Sequence, residues 1–271
     1  MALPASDRAD AFHALHAPGR ILVLPNAWDV GSARLIESLG AEAIATTSAG
    51  VAWARGYSDG QALPFRELLD VAAAIGRAVA VPLSVDFEAG YATDPATVAE
   101  HAAALIGAGA VGVNLEDGRE SPDATAAKIE AVRKAAEREG VRLFVNARTD
   151  VFLKKLVPRE RAVEEALARG ARYRDAGASG LFVPRAKEPA DIRAIVAGIE
   201  LPVNALAMPG LPPVAELRAL GVRRVSAGAG VSLAALAAAK EGVEELLAAG
   251  RYERMFSKAG SIEMNALLAR R

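Results

Sequence analysis

The sequence predicts a (β/α)₈ barrel, and two observations support this prediction. Short runs of apolar, often β-branched residues alternate with longer stretches rich in Ala, Leu, Glu and Arg along the chain. The short runs are nearly continuous in apolar residues, as is typical of parallel strands buried on both faces. Eight such runs, each followed by a helical stretch, match the number of units in this barrel. A doubly wound sheet, the alternative, usually has fewer strands and a Gly-rich turn after the first, which Pro25–Trp28 does not provide.

The elements follow from this alternation in chain order. The predicted strands are Ile21–Leu24, Ala43–Thr46, Pro82–Asp86, Val111–Leu115, Leu143–Asn146, Gly180–Val183, Pro202–Asn204 and Val222–Ser226. Helical patterns between them cover Phe65–Ala78, Pro95–Gly107, Thr125–Glu139, Arg159–Ala176 and Ala190–Ile199. Several helices are expected to stop at a glycine, namely Gly40, Gly107, Gly140, Gly177 and Gly221.

The chain shows no linker or low-complexity break, so we predict one domain spanning residues 1–271. After the eighth strand, helical patterns continue through Leu233–Ala248 and Tyr252–Leu268, so residues 233–271 form a C-terminal helical extension. This is more helix than closing a barrel requires. The extension would cover either one end of the barrel or a partner subunit.

Composition excludes several classes of function. A net charge of −1 provides no basic surface for nucleic acid and no polybasic tract for a membrane. No apolar run approaches the roughly 20 residues that span a bilayer. Cysteine is absent, which removes disulfides and thiolate metal sites and makes the cytoplasm the expected compartment.

Three acidic side chains lie where two predicted strands end at the catalytic rim of such a barrel. In these barrels the catalytic residues lie at the C-terminal ends of the strands. Asp86 ends the third strand, and Glu88 follows two residues later, so an extended segment would point both carboxylates to one side. The fourth strand delivers Glu116 to the same rim. Because three clustered acids repel one another, we predict a cation here, and oxygen-only ligands favour Mg²⁺ or Mn²⁺.

Other strand ends supply groups suited to an anionic substrate. The second strand leads into Ser48, Ala49 and Gly50, whose small side chains leave backbone N–H groups accessible. The fifth carries Arg148, which suits a two-point carboxylate contact and could equally pair with a rim acid. The seventh ends in Asn204. None of the three histidines lies at a strand end, which argues against a Ser-His-Asp triad.

These residues stand in an order that resembles a known family. The ordered set is Ser48-Ala49-Gly50, Asp59, Asp86-Phe87-Glu88-Ala89-Gly90-Tyr91, Glu116-Asp117 and Asn146-Ala147-Arg148-Thr149-Asp150. It is similar to the isocitrate lyase/phosphoenolpyruvate mutase superfamily, and the resemblance runs from about Leu24 to the end of the chain. It implies a barrel whose last helix is exchanged between subunits, in homodimers or homotetramers.

The resemblance also implies roles for the individual residues. Asp86 would be the direct Mg²⁺ (or Mn²⁺) ligand, with Glu88 and Glu116 acting largely through water. Asp59, Arg148 and Glu88 would be the catalytic residues. The 2-oxo acid substrate would be bound by Ser48, Ala49, Gly50, Arg148 and Asn204.

The sequence departs from the family where its lyases carry a Lys-Lys-Cys-Gly loop with a catalytic Cys. Here the stretch is Asp117–Asp123, and the chain has no Cys, which argues against isocitrate cleavage by that route. Arg185, after the sixth strand, would suit a second substrate carboxylate. We therefore expect an enzyme that breaks the C–C bond next to the 2-oxo group of a small 2-oxo (di)carboxylic acid such as oxaloacetate. The alternatives are a phosphoenolpyruvate or phosphonopyruvate mutase or hydrolase, and a 2-oxo acid binding protein without turnover.

Overall fold

The computed structural model describes residues 4–257 and 262–269, and its strands in these ranges form one parallel sheet. The strands are β1 (Leu22–Leu24), β2 (Asn26–Ala27), β3 (Ile44–Thr46), β4 (Leu83–Asp86), β5 (Ala110–Glu116), β6 (Phe144–Arg148), β7 (Gly180–Phe182), β8 (Val203–Leu206) and β9 (Arg224–Ser226). Their order around the sheet is β1-β9-β8-β7-β6-β5-β4-β3-β2. The predicted eight strands are all present within this set.

The sheet curls into a nearly closed barrel because β1 and β2 share the place of the first strand. β1 pairs with β9, where Leu24 lies opposite Ser226, while β2 pairs with β3, where Ala27 lies opposite Thr46. Pro25 separates the two segments and has no N–H to donate to a ladder. The prediction of a (β/α)₈ barrel is confirmed.

Helices surround the barrel and extend beyond it. They are α1 (Ala5–Ala14), α2 (Val30–Ser38), α3 (Ser48–Ala54), α4 (Phe65–Ala78), α5 (Pro95–Gly107), α6 (Pro122–Arg138), α7 (Ala162–Asp175, preceded by a 3₁₀ turn at Arg159–Arg161), α8 (Pro189–Gly198), α9 (Val214–Ala219), α10 (Gly230–Ala249), α11 (Glu253–Phe256) and α12 (Met264–Ala269). Among these described helices, none is long and apolar enough to cross a membrane.

Two helix predictions need correction. Gly107 is the last residue of α5, and the left-handed residue that ends this helix is Gly109, with φ of +100°. The continuous helix expected over Tyr252–Leu268 is instead two short helices, α11 and α12, while residues 258–261 lie outside the described part of the chain.

Helix α1 closes the amino-terminal end of the barrel. Phe12 packs edge-on against Phe144 at the start of β6, with ring centroids 5.5 Å apart. A Cβ on Gly112 would lie 2.7 Å from the Phe12 ring, so the close approach of α1 to β5 requires glycine there. Because this end is filled, a substrate has to enter at the opposite rim.

The buried His16 below the barrel makes the stability of the protein depend on pH. Its ring stacks on Phe144 with centroids 4.0 Å apart, and Nδ1 pairs with the Phe12 carbonyl at 2.8 Å. Burial, followed by the charge of Arg224, lowers the pKa of His16 from 6.5 to about 3. Between about pH 6.5 and pH 3 the unfolded chain therefore binds a proton at His16 that the folded chain does not bind. The free energy of unfolding decreases as the pH falls through this range.

We expect His16 alone to make the protein about 2 kcal/mol less stable at pH 5 than at pH 7. Urea unfolding at the two pH values measures this difference for the wild type and for His16→Phe. The variant should lose about that much of the pH dependence. An identical pH dependence in both proteins would contradict the assignment.

Candidate active site

The predicted rim residues lie on three neighbouring strands. Asp86, Glu116 and Arg148 are the last residues of β4, β5 and β6. In the strand register Asp86 lies opposite Asn114, and Glu116 lies opposite Arg148. The structure therefore brings these side chains to one edge of the barrel, where chemistry is expected in this fold.

Asp86 is held by neighbours on both sides of its strand. Its Oδ2 accepts the Ser48 N–H at 3.1 Å, and its own N–H donates to the Thr46 hydroxyl at 2.8 Å. The amide of Asn114 lies 3.5 Å from Oδ1, which makes that contact weak. This oxygen therefore retains the capacity to bind another partner.

A buried guanidinium supports Asp86 from within the barrel. Arg224 is 1% exposed, and its Nη2 donates to Oδ1 of Asn114 at 3.3 Å. Asn146 donates to the same oxygen at 2.8 Å, so the NH₂ group of Asn114 is left to face Asp86. Burial lowers the pKa of Arg224 to about 9, and the charge of Asp86 opposes this shift. Arg224 therefore remains positive at neutral pH.

The two-residue spacing between Asp86 and Glu88 predicted an extended backbone, but Glu88 does not adopt one. Its φ is +48°, and β4 ends at Asp86. The carboxylate accepts the Gln61 N–H at 2.7 Å and the Tyr91 hydroxyl at 2.6 Å. Burial raises the pKa of Glu88 to about 7, the Tyr91 contact opposes the shift, and the charges of Asp86 and Asp59 add to it. Glu88 therefore lies near Asp86, but the orientation of its carboxylate is set by the loop residues Gln61 and Tyr91.

Arg148 joins two acids into an ion-pair cluster. Its Nη1 lies 2.6 Å from Oε2 of Glu116, and its Nε lies 2.7 Å from Oδ1 of Asp150. A second donation from Nη2 reaches the other Asp150 oxygen at 3.3 Å. Burial raises the pKa of Glu116 to about 8 although Arg148 opposes it. Burial alone would lower the pKa of Arg148, but Glu116 and Asp150 outweigh it and raise that pKa.

Asp117 faces the protein interior, although the sequence places it at the same strand end as Glu116. The residue is fully buried, and its Oδ2 accepts from Arg169 at 2.9 Å and from the Tyr173 hydroxyl at 2.8 Å. Its Oδ1 accepts the Asp150 N–H at 2.9 Å. Asp117 therefore fixes Asp150, which in turn holds Arg148.

Ser48, Ala49 and Gly50 form the first turn of α3, directly above Asp86. N–H groups in the first turn of a helix have no partner within the helix and favour an anion. Gly50 is packed so closely that a Cβ would lie 2.7 Å from Thr47 Cγ2 and 2.9 Å from Trp28 Cβ. Glycine is therefore required for this turn to reach its position.

Gly50→Ala should destabilise the protein by about 1–3 kcal/mol, because the added methyl group has no room. The matched control is Gly107→Ala in α5, where a Cβ meets nothing within 4 Å and alanine favours helix. Thermal melting of both variants measures the effect. Equal melting temperatures for the two variants would contradict the packing argument.

Two predicted residues lie apart from this cluster. Asp59 is exposed in the loop between α3 and α4, and its negative charge contributes to the raised pKa of Glu88. Asn204 is buried, and its amide exchanges hydrogen bonds with the Ser226 hydroxyl at 3.2 and 3.3 Å. Their roles in catalysis and substrate binding remain predictions.

The rim brings together acidic side chains of the type that would suit a divalent cation. Asp86, Glu88 and Glu116 are shielded from water, and burial raises the pKa of both glutamates. Across the described residues, no three Asp, Glu or His side chains converge closely enough to hold an ion unaided. Direct binding of a cation by Asp86, with the glutamates acting through water, stays a prediction.

Several residues of the site were not predicted. Gln61 and Tyr91 hold Glu88, and Arg169 with Tyr173 holds Asp117. Tyr91 stands in the strand-end motif and could have been noted there. The spacing of Arg169 and Tyr173, four residues apart on α7, does not reveal that they reach a residue on β5.

Comparisons with known proteins agree with this fold. A family model described as phosphoenolpyruvate phosphomutase matches residues 12–247. An uncharacterised protein of Mycobacterium tuberculosis is 40% identical over 223 residues, covering 80% of this chain and 81% of the relative. The oxaloacetate decarboxylase of Ectopseudomonas mendocina is 29% identical, covering 87% and 83%. A crystal structure from Burkholderia cenocepacia, described provisionally as a phosphonomutase, has 43% identity and a TM-score of 0.85, covering 88% of this chain and 100% of that one.

The fold and these relatives identify a (β/α)₈-barrel enzyme of the lyase and mutase type, as the sequence predicted. The chain belongs to the phosphoenolpyruvate mutase family, within the isocitrate lyase/phosphoenolpyruvate mutase superfamily.

Proposed function

We propose that this protein is a Mg²⁺-dependent enzyme that breaks a C–C bond at the carbon next to the 2-oxo group of a small dicarboxylic acid such as oxaloacetate. The observation that supports this most directly is the set of contacts that the Arg148 guanidinium makes at the rim. Two of the five N–H groups of the guanidinium donate to Asp150, and Nη1 forms an ion pair with Glu116 at 2.6 Å. The two terminal nitrogens keep further N–H groups, which suit the paired oxygens of a carboxylate or 2-oxo acid.

Asp86 would hold the cation directly, and Glu88 and Glu116 would hold it through water. A bound Mg²⁺ would stabilise the negative charge that develops on the enolate as the C–C bond breaks. The first turn of α3, at Ser48–Gly50, would orient the substrate carboxylate. Arg148 would position the 2-oxo end of the substrate, since Glu116 and Asp150 fix its guanidinium plane.

Decarboxylation is our first candidate among the possible cleavages. A retro-aldol reaction needs a base that removes a hydroxyl proton, whereas loss of CO₂ needs none. One relative is named as an oxaloacetate decarboxylase, and this name describes the same reaction. Proton NMR of purified protein with oxaloacetate and Mg²⁺ tests the proposal. Pyruvate formed faster than in a protein-free control supports it, oxalate with acetate indicates hydrolysis instead, and unchanged oxaloacetate contradicts it.

A phosphonopyruvate or phosphoenolpyruvate mutase is the second candidate, because the matching family model carries that name. Such an enzyme needs cations near the rim for the phosphoryl group, and Lys154 lies there, 3.1 Å from Asp150. Phosphorus NMR with phosphonopyruvate distinguishes the candidates. New phosphorus signals would favour the mutase or a hydrolase, and unchanged signals would remove both. Calorimetric binding of a 2-oxo acid with no product from either substrate would indicate a binding protein.

We also propose that α10 packs against a second copy of the chain. Its 20 residues are buried only at Ser232 and Gly242, although the helix is rich in Ala and Leu. Leu236 is 55% exposed and Leu247 is 81% exposed. An apolar helix left this open is typical of a protein–protein interface.

Introducing charge on α10 should therefore dissociate the oligomer. We expect Leu236→Arg combined with Leu247→Arg to lower the mass measured by analytical ultracentrifugation to that of one chain. The control, Leu39→Arg, changes a residue that is 79% exposed at the end of α2 and should leave the mass unchanged. A wild type that sediments as a single chain would contradict the proposal.

A further inference from the structure

A lysine outside the predicted site lies at the same rim. Lys154 Nζ is 3.1 Å from Oδ2 of Asp150, and 34% of its side chain is exposed. The turn after β6 folds it back onto the strand end, since the Lys154 N–H donates to the Asp150 carbonyl at 2.7 Å. Lys154 and Arg148 thus share the Asp150 carboxylate: Lys154 pairs with Oδ2, and Arg148 donates to both oxygens.

The loop after β5 leaves room for this lysine. A Cβ on Gly118 would lie 3.1 Å from Lys154 Nζ, and Gly118 has φ of +55°. The position therefore favours glycine for both its conformation and its space. Gly118 follows Glu116 by two residues, and the charge of Lys154 acts on that carboxylate. Lys154 accordingly stands beside the acids and the guanidinium that would face the substrate.

The reaction proposed above, on which this inference rests, leaves an enolate carbon that needs a proton. Three other side chains that carry an N–H or O–H proton are already engaged with other partners. The Tyr91 hydroxyl donates to Glu88, and Lys128 is buried between the Ala89 carbonyl and Glu120. His101 belongs to α5, where it stacks on Phe65.

We propose that Lys154 is the catalytic acid that protonates the enolate. After the C–C bond breaks, its electron pair remains on the pyruvate fragment as the enolate, and CO₂ leaves. The enolate carbon then takes a proton from Nζ, and the 2-oxo group re-forms. The neutral amine regains its proton from water, to which the side chain is open.

The reverse of this step gives a test that does not depend on decarboxylation. In D₂O with Mg²⁺, the amine should remove a methyl proton of bound pyruvate and return deuterium, which proton NMR detects as loss of the methyl signal. We expect Lys154→Met and Lys154→Arg to lower this exchange rate at least about 100-fold. Lys154→Arg keeps the charge beside Asp150 but does not release its proton. Lys155→Met, which changes the exposed neighbour, is the matched control and should exchange like the wild type.

Oxalate binding, measured by calorimetry with Mg²⁺, separates this inference from the proposed function. Lys154→Arg should bind oxalate as the wild type does, because the enolate analogue is held by Arg148 and the first turn of α3. Exchange at the wild-type rate in both Lys154 variants would overturn the role of Lys154, as would a wild type that binds oxalate but exchanges nothing. A wild type that does not bind oxalate would overturn the proposed function itself.

Discussion

Asp86→Asn should give a folded protein that turns over oxaloacetate at least about 1000-fold more slowly than the wild type. The substitution keeps the side-chain shape but removes the negative charge of the proposed direct metal ligand. It also sets the NH₂ group of the introduced amide against either the Ser48 N–H or the NH₂ of Asn114, which both donate to Asp86 in the wild type. Turnover and Mn²⁺ binding, followed by electron spin resonance, should therefore fall together.

The control for this prediction is Asp70→Asn. Asp70 lies on the exposed face of α4, where it pairs with Arg66 at 3.1 Å. Its loss removes one negative charge from the protein, and we expect unchanged turnover because exposed pairs contribute little. Mn²⁺ affinity and turnover that stay at wild-type values in Asp86→Asn would refute the role of Asp86.

Arg148→Lys should lower kcat/KM by about 100-fold, equivalent to ~3 kcal/mol, while leaving Mn²⁺ affinity close to that of the wild type. Arginine donates two hydrogen bonds to Asp150, forms an ion pair with Glu116 and keeps further N–H groups that would bind the substrate. An ammonium has only three donors and no planar fork, so it cannot satisfy both acids and also bind a carboxylate at two points. Calorimetry with oxalate should show the same loss of affinity.

Arg172→Lys provides the comparison for Arg148→Lys. Arg172 is half-exposed on α7 and pairs with Asp123 at 2.9 Å. Its substitution should change neither oxalate binding nor turnover. If Arg148→Lys bound oxalate as tightly as the Arg172 variant, the substrate-binding role of Arg148 would be wrong.

The sequence predicted the barrel and much of its rim because both follow from local pattern. Parallel strands buried on both faces have a recognisable apolar composition, and the last residue of such a strand lies at a known edge. This reasoning located Asp86, Glu116 and Arg148, which the structure brings together on β4, β5 and β6.

Features that depend on loops or distant residues could not be predicted in this way. The orientation of Glu88 depends on a left-handed backbone and on Gln61, in another loop. Asp117 faces inward because Arg169 and Tyr173 donate hydrogen bonds to it. These two residues lie on α7, 52 and 56 residues further along the chain. Lys154 reaches the rim through an irregular turn, which has no sequence periodicity from which it could be predicted.

The dependence of oxaloacetate turnover on a divalent cation tests the central claim most directly. The protein is treated with EDTA, dialysed and assayed for pyruvate formation with and without added Mg²⁺. We expect activity to disappear after EDTA and to return with Mg²⁺ in the wild type, but not in Asp86→Asn. Full turnover in the presence of EDTA would contradict the claim that the acidic rim acts through a bound metal.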